Sequence, residues 1–324
     1  MNGLLTILML TLLGAGPESP EPVMTVTVNP SQVVAGDTVI ADLVCRVDGM
    51  DCSRQELAAL DSCWTAQPSE LCLKAKLTIP FEFKENLDPN SLVLPKLYKQ
   101  LMDAWKSRVE QTGDQKKQEG RVLLKVHPFV PFRLLIDVMY TAGRVGVRGV
   151  GGIREFLFVT LHDKDAAKRV YRLPEYKDPR RAAPIPPTVL VGSEYIELII
   201  HYGTTAIVND ILNEEDEAPR IPEPKKVKLG KIKARQCPGY PYAVHYDLAR
   251  LYNQLVALKK EDKFSGVTEI VVGTDGLIPW YLVAQVHDTV TRLRGTESYT
   301  DSCELLADES ASTPLFPNVF FMML

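Results

Sequence analysis

The strongest constraint in this sequence is an apolar-Pro-aromatic tripeptide that occurs twice, as Val130-Pro131-Phe132 and Ile278-Pro279-Trp280. Proline suits the first turn of a helix, where its missing N–H would have no partner anyway and its fixed φ is already helical. After each tripeptide, apolar residues recur at helical spacing: Leu134, Leu135, Val138 and Met139 up to Gly143, and Leu282, Val283, Val286, Val290 and Leu293. The flanks repeat as well. A strand pattern precedes each helix (121–126 and 268–273), and an amphipathic helix precedes that strand (94–109 with Leu94, Leu97, Leu101 and Trp105; 246–260 with Leu248, Leu251, Leu255 and Leu258). A strand pattern also follows each helix (155–161 and 319–323), and Leu97-Tyr98-Lys99-Gln100-Leu101 mirrors Leu251-Tyr252-Asn253-Gln254-Leu255. The shared order predicts an internal duplication. The fold class expected is α+β, as two tandem units, each a small sheet covered on one face by two helices.

A length of 324 residues fits two domains. The boundary falls at 172–188, where Pro174, Pro179, Pro184, Pro186 and Pro187 predict an extended linker. The first unit is then 23–171, with a Cys-rich N-terminal extension, and the second 189–324. Ahead of the second helical pair, 195–201 alternates, reaches Tyr202-Gly203-Thr204 and returns through 205–210, the pattern of a β-hairpin. Its expected counterpart is the alternating run 73–83. Further strands are expected at 25–28 and 38–44, and a disulfide-tethered helix at 54–64. The charged stretches 213–217 and 225–233 read as a solvated loop with an edge strand.

Residues 4–13 are almost purely apolar and are followed by Gly14-Ala15-Gly16 and a proline-rich polar stretch. The run is short for a membrane span and fits a secretory signal peptide at 1–16, although no Lys or Arg precedes it. Export to the periplasm or cell envelope, with association at the inner membrane if the segment is retained, is the expected localisation. The six cysteines agree with an oxidising compartment. Two local disulfides are expected among Cys45, Cys52, Cys63 and Cys72, in any of three pairings, with a third joining Cys237 to Cys303. Zinc is disfavoured because the gaps between these cysteines are long.

No set of residues with catalytic, cofactor-binding or metal-ligating spacing stands out. A net charge of -4 gives no global field for nucleic acid. The run 143–152 is glycine-rich and carries Arg144 and Arg148, but it follows a helix and leads into a strand, the reverse of a phosphate-cradling loop. It is expected to be a flexible surface loop whose arginines contact an anionic polymer. His127, His162, His201, His245 and His287 are scattered without ligand spacing. His287 neighbours Asp288, but adjacent residues on a helix do not face each other. Ser193 lacks a nucleophile-elbow context. Glu214, Glu215 and Asp216 lie in a solvated charge run. Trp64, Trp105 and Trp280 read as packing residues.

These motifs, taken in order, resemble the periplasmic domain of the ExbD/TolR biopolymer-transport family. Thr274-Asp275 precedes Ile278-Pro279-Trp280, as Ala-Asp often precedes Val-Pro-Tyr in that family, and Leu315-Phe316-Pro317-Asn318-Val319 is similar to its Leu-Phe-Pro-x-Val ending. In the first unit Val130-Pro131-Phe132, followed by Val138-Met139-Tyr140-Thr141-Ala142-Gly143, has the same character. The resemblance covers 73–162 and 194–323. It implies a non-catalytic binding or scaffold protein of an envelope transport or motility assembly. The implied partners are ExbB/ExbD-type proteins, peptidoglycan or a second copy of the chain, with no cofactor. The implied interaction residues are Arg144, Arg148, Asp275, Pro279 and Trp280. Family members also carry a transmembrane helix with an essential Asp, whereas this chain has no carboxylate before Glu18. An intramembrane carboxylate is what takes up and releases protons. A membrane-anchored subunit of a proton-motive-force-driven transporter is therefore the second expectation, and a secreted enzyme with a dispersed site the third.

Overall fold

The computed structural model describes residues 21–61, 71, 74–112, 118–147, 151–161, 169–172, 186–192, 195–202, 225–235, 245–246, 248–274, 276–291 and 315–323. Within them the chain is mixed α+β. β1 (Met24–Val28) and β2 (Gln32–Ala35) bury alternate residues, Val26 and Val28 on one strand and Val33 and Ala35 on the other. That period of two is what a strand with one face on a core requires. β1 and β2 pair antiparallel, as do β2 and β3 (Thr38–Asp42). On its other side β1 pairs parallel with β7 (Gln118–Val126), and β7 parallel with β9 (Gly151–Thr160). β10 (Arg169–Arg172) closes that edge, giving the order β10-β9-β7-β1-β2-β3.

The second sheet follows the same plan. β11 (Thr188–Val191), β12 (Tyr195–Tyr202) and β13 (Lys225–Arg235) pair antiparallel in sequence. β11 pairs parallel with β15 (Glu269–Thr274), and β15 parallel with β16 (Asn318–Met323). With β14 (His245–Tyr246) the order is β14-β13-β12-β11-β15-β16. Parallel neighbours cannot be joined by a tight turn, so each such step is a crossover that carries a helix. In the first sheet these are α2 (Pro95–Thr112) and α3 (Phe132–Gly143). In the second they are α4 (Leu248–Lys259), with the short α5 (Asp262–Ser265), and α6 (Trp280–Thr291).

The helices bury the stripes their periodicity specifies: Leu97, Leu101, Trp105 and Val109 on α2, and Leu248, Leu251, Leu255 and Leu258 on α4. The buried apolar residues of both halves form one continuous cluster. A buried ion pair ties β7 to β9: Arg121 and Glu155 are register partners, with Nη2 to Oε1 at 2.6 Å.

A third, small sheet of β4 (Val44–Val47), β5 (Met50–Asp51) and β6 (Lys76–Thr78), in the order β5-β4-β6, is inserted in the first half. Cys45 and Cys52 form a disulfide across its β4–β5 turn. Cys63, Cys72, Cys237 and Cys303 lie outside the described residues, as do the segment 1–20 and the linker residues 173–185. α1 (Arg54–Asp61) begins with a capping box, in which the Ser53 N–H donates to Glu56 Oε2 and the Glu56 N–H to Ser53 Oγ. These hydrogen bonds hold the Glu56 carboxyl below its usual range.

Several local expectations change. The run 73–83 is not the counterpart of the second hairpin: only 76–78 is a strand, it pairs with β4, and Pro80 leads instead into a short 3-10 turn. By strand order the counterpart of β11–β12–β13 is β1–β2–β3. Besides β11, the antiparallel partner of 195–202 is 225–235, so the lysine-rich stretch 225–233, expected as an edge strand, is an interior strand between β12 and β14; residues 205–210 and 213–217 lie outside the described residues. The strand expected over 38–44 breaks at Leu43, where β3 and β4 enter different sheets. Pro131 caps α3 rather than occupying its first turn.

The glycine-rich run is paired at its two ends, and residues 148–150 lie outside the described residues. β8 (Gly146–Val147) folds back on β9, pairing Gly146 with Gly152. A Cβ on Gly152 would collide with the Val145 carbonyl oxygen. One on Gly146, at φ 134°, would collide with the Gly151 carbonyl oxygen. Gly152→Ala is therefore expected to destabilise the fold by about 1–3 kcal/mol, the range for overfilling a tight contact, measured as a lowered urea midpoint with an unchanged slope.

Candidate functional site: the paired proline turns

The first N–H groups of any helix lack an intrahelical acceptor. At α3 the cap is Pro131, whose side chain can accept nothing and whose backbone is extended (φ -58°, ψ 138°). The acceptors come from the other half of the chain. The Phe132 N–H donates to the Ile278 carbonyl at 2.8 Å and the Arg133 N–H to the Gly276 carbonyl at 2.8 Å. α6 returns the arrangement: the Trp280 N–H donates to the Val130 carbonyl at 2.8 Å and the Tyr281 N–H to the Pro128 carbonyl at 2.9 Å. Pro131 and Pro279 face each other as an antiparallel bridge. Their neighbours make the hydrogen bonds of this bridge, so the prolines lose nothing by lacking an N–H. Each half thus caps the helix of the other about a local two-fold axis.

Side chains extend the pairing. Trp280 is fully buried and lies 6.3 Å from Phe132, with planes 10° apart, and 4.7 Å from Phe158. Its Nε1–H donates to Thr160 Oγ1 at 3.0 Å. Phe321 of β16 meets Phe132 at 5.0 Å and Tyr171 of β10 at 4.8 Å. Burial pushes the Tyr171 hydroxyl up to about 12. Phe129 packs on Tyr281 at 5.2 Å. Aromatic pairs of this kind add modest energy beyond their buried area and fix orientation. Further along the helices, Thr141 Oγ1 donates to the Asp137 carbonyl at 2.7 Å and Thr289 Oγ1 to the Gln285 carbonyl at 2.9 Å, at equal distances from their respective prolines.

The two halves differ in charge. Asp137 on α3 is almost fully buried; its Oδ1 lies 3.3 Å from Arg133 Nε and its Oδ2 3.2 Å from Lys84 Nζ, which also donates to the Pro89 carbonyl at 3.1 Å. The Leu94 N–H donates to Thr141 Oγ1 at 3.0 Å, and that oxygen lies 3.1 Å from the Leu92 carbonyl. The segment 84–94 is thereby strapped to α3. Burial pushes the Asp137 carboxyl above its usual range, with the positive charges of Lys84 and Arg133 drawing it part of the way back. The corresponding position on α6 is the neutral Gln285. Asp137 was legible only as a lone carboxylate beside the apolar stripe of its helix.

Of the residues expected to contact a partner, Pro279 and Trp280 are turned inward onto the first half of the chain. Arg144 is half-exposed, with Nη1 3.4 Å from Glu85 Oε2. Arg148 and Asp275 lie outside the described residues, as do Trp64, His162, Ser193, Glu214, Glu215 and Asp216. Trp105 is buried in the core, as expected. His127 and His287 are buried. The His287 Nδ1 lies 3.7 Å from Asp288 Oδ1, so these adjacent side chains do approach, against the expectation for neighbours on a helix. Among the described residues no group of three or more His, Cys, Asp or Glu is placed to hold a metal ion, and no helix is long and apolar enough to cross a membrane. No protein-family model and no curated protein matches the chain.

Trp280→Ala is expected to cost about 3–5 kcal/mol, the range for deleting a large buried aromatic. It should also separate the unfolding of the two halves, seen as non-coincident fluorescence and circular-dichroism transitions. Asp137 has a folded-state value above its unfolded one, so its contribution is fully present below the ordinary aspartate range and is lost as pH rises through the raised value. Asp137→Asn, which keeps an acceptor for Lys84, should remove that part of the slope of unfolding free energy against pH. Asp137→Ala, which leaves the buried ammonium without it, should cost about 3–5 kcal/mol at neutral pH.

Proposed function

We propose that this chain is a non-catalytic binding or scaffold protein of a cell-envelope transport or motility assembly, built from two tandem units related to the ExbD/TolR periplasmic domain. The observation that carries this reading is the reciprocal docking of the two apolar-Pro-aromatic tripeptides, the motif on which the family resemblance rests. The repeated strand order supports it: in each sheet three antiparallel strands lead to two parallel ones, and a helix that starts at the tripeptide makes the last crossover. In this reading the tandem is a self-contained pair. Its motifs are spent on each other, and the remaining surfaces are left for ExbB/ExbD-type envelope proteins, for peptidoglycan or for a second copy. Residues 1–16 serve as the export signal. The apolar stretch 4–13 contains no carboxylate, which fits docking rather than proton transfer.

The test is to isolate the protein from the envelope fraction of its native cell, measure its intact mass and N-terminal sequence, and cross-link it in place. The expected result is an N-terminus near residue 16, a mass deficit from disulfide formation, and cross-links to envelope transport proteins or to peptidoglycan. A retained Met1, or cross-links to neither class of partner, would overturn the proposal.

A further inference from the structure

Among the described residues, three that are not glycine have positive φ: Asp48, Asn86 and Leu87. Asp48 precedes Gly49 in the β4–β5 turn, where a tight hairpin requires that conformation. Asn tolerates it through its short polar side chain. Leu87, at φ 53°, has neither reason, and a bulky side chain there is a true outlier. Such strain persists only where the surroundings over-determine it, and it clusters at sites that hold ligands or partners.

The surroundings do over-determine it. Lys84 is drawn inward to Asp137 and the Pro89 carbonyl. The Glu85 N–H donates to the Val93 carbonyl at 2.9 Å, and the Glu85 carboxylate meets Arg144. The Leu87 N–H donates to the Lys84 carbonyl at 3.2 Å. The strap is fixed from inside, and two large apolar side chains point outward on it and on the turn before it: Leu87 is 62% exposed and Phe81 is 53% exposed. Tyr140, one turn before Arg144 on α3, is 49% exposed. These are three of the six large apolar residues exposed among the described ones: Leu87 on the strap, Phe81 on the turn that leads into it and Tyr140 on the helix that holds it. Glu82, Glu85 and Asp88 alternate with the apolar residues along the strap. The strap's own base, Lys84, is buried, and Arg144 is engaged by Glu85.

We propose that Phe81, Leu87 and Tyr140 form a docking surface for a partner polypeptide segment whose apolar side chains are flanked by Lys or Arg. The Glu82 and Asp88 carboxylates select that partner by charge, and they repel an anionic membrane or an acidic peptide. The strain at Leu87 holds an apolar side chain ready for contact, so its ordering cost is met before the partner arrives. The surface does not rest on the envelope reading above, since it requires only the strap and α3.

The probe is a fluorescein-labelled synthetic peptide of alternating leucine and lysine, titrated with the full chain and followed by anisotropy; a leucine–glutamate peptide serves as the control. The expected result is binding of the lysine peptide alone, weakened by salt. Leu87→Gly should reduce affinity at least tenfold, as should Phe81→Ser, while the thermal midpoint of Leu87→Gly does not fall, because glycine accepts the positive φ. Equal binding of both peptides, no binding by the wild type, or unchanged affinity in both variants would overturn the proposal. A lowered midpoint in Leu87→Gly would overturn it too, by showing that Leu87 packs within the fold. Wild-type self-association or binding to anionic vesicles, lost in Leu87→Gly, would assign the surface to a second copy or to a membrane and would equally overturn it.

Discussion

The N–H groups of Phe132 and Arg133 donate to carbonyls at Ile278 and Gly276, and those of Trp280 and Tyr281 donate to carbonyls at Val130 and Pro128. A helix start capped by proline cannot supply a side-chain acceptor for its own first N–H groups, and burying them without partners would cost free energy at each one. In this molecule neither helix start is complete without the other. That mutual dependence places α3 beside α6 and sets Phe132 against Trp280. It also merges the buried residues of both halves into one core. The sheets follow, because each of these helices is the crossover between the last two parallel strands of its sheet.

Around this symmetric centre the halves diverge. α6 is buried almost all round, from Trp280 to Val290, with few breaks. α3 buries one face against the core and uses the other to hold the strap through Asp137, Thr141 and Arg144. A buried carboxylate is costly unless paired, and here it is paired twice. The pairing converts the 84–94 segment into a fixed outer layer, so the first half carries both the small disulfide-stapled sheet and an ordered apolar surface.

Periodicity made the crossover helices and the parallel strands legible, because a stripe such as Leu248, Leu251, Leu255 and Leu258 can be buried by a helix and by little else. The prolines announced the helix starts, and the shared order of elements announced the repetition. What lay outside the reach of local pattern was pairing at a distance. The alternation at 76–78 reads as a strand in either sheet, and only tertiary contact assigns it to β4. The partner of β12 was sought at the nearest turn, whereas the chain supplies it at 225–235, where lysines mask a long strand. The glycine-rich run read as flexible, yet Gly146 and Gly152 are required by the close approach of β8 to β9. At the centre, Trp280 was read both as packing, which its full burial bears out, and as a contact for a partner. No pattern in the sequence indicates that the two tripeptides would face one another, and Asp137 carried only the weak signal of a single acid beside an apolar stripe.

The account turns on whether the two helix starts are held closed by each other, and amide hydrogen exchange on the full chain tests this most directly. If the capping is reciprocal, the N–H groups of Phe132, Arg133, Trp280 and Tyr281 will exchange together, at the slow rate of the core amides on β7 and β15. If either pair exchanges at the rate of a frayed helix end while those core strands stay protected, the two halves are not locked through their proline turns, and the account is wrong.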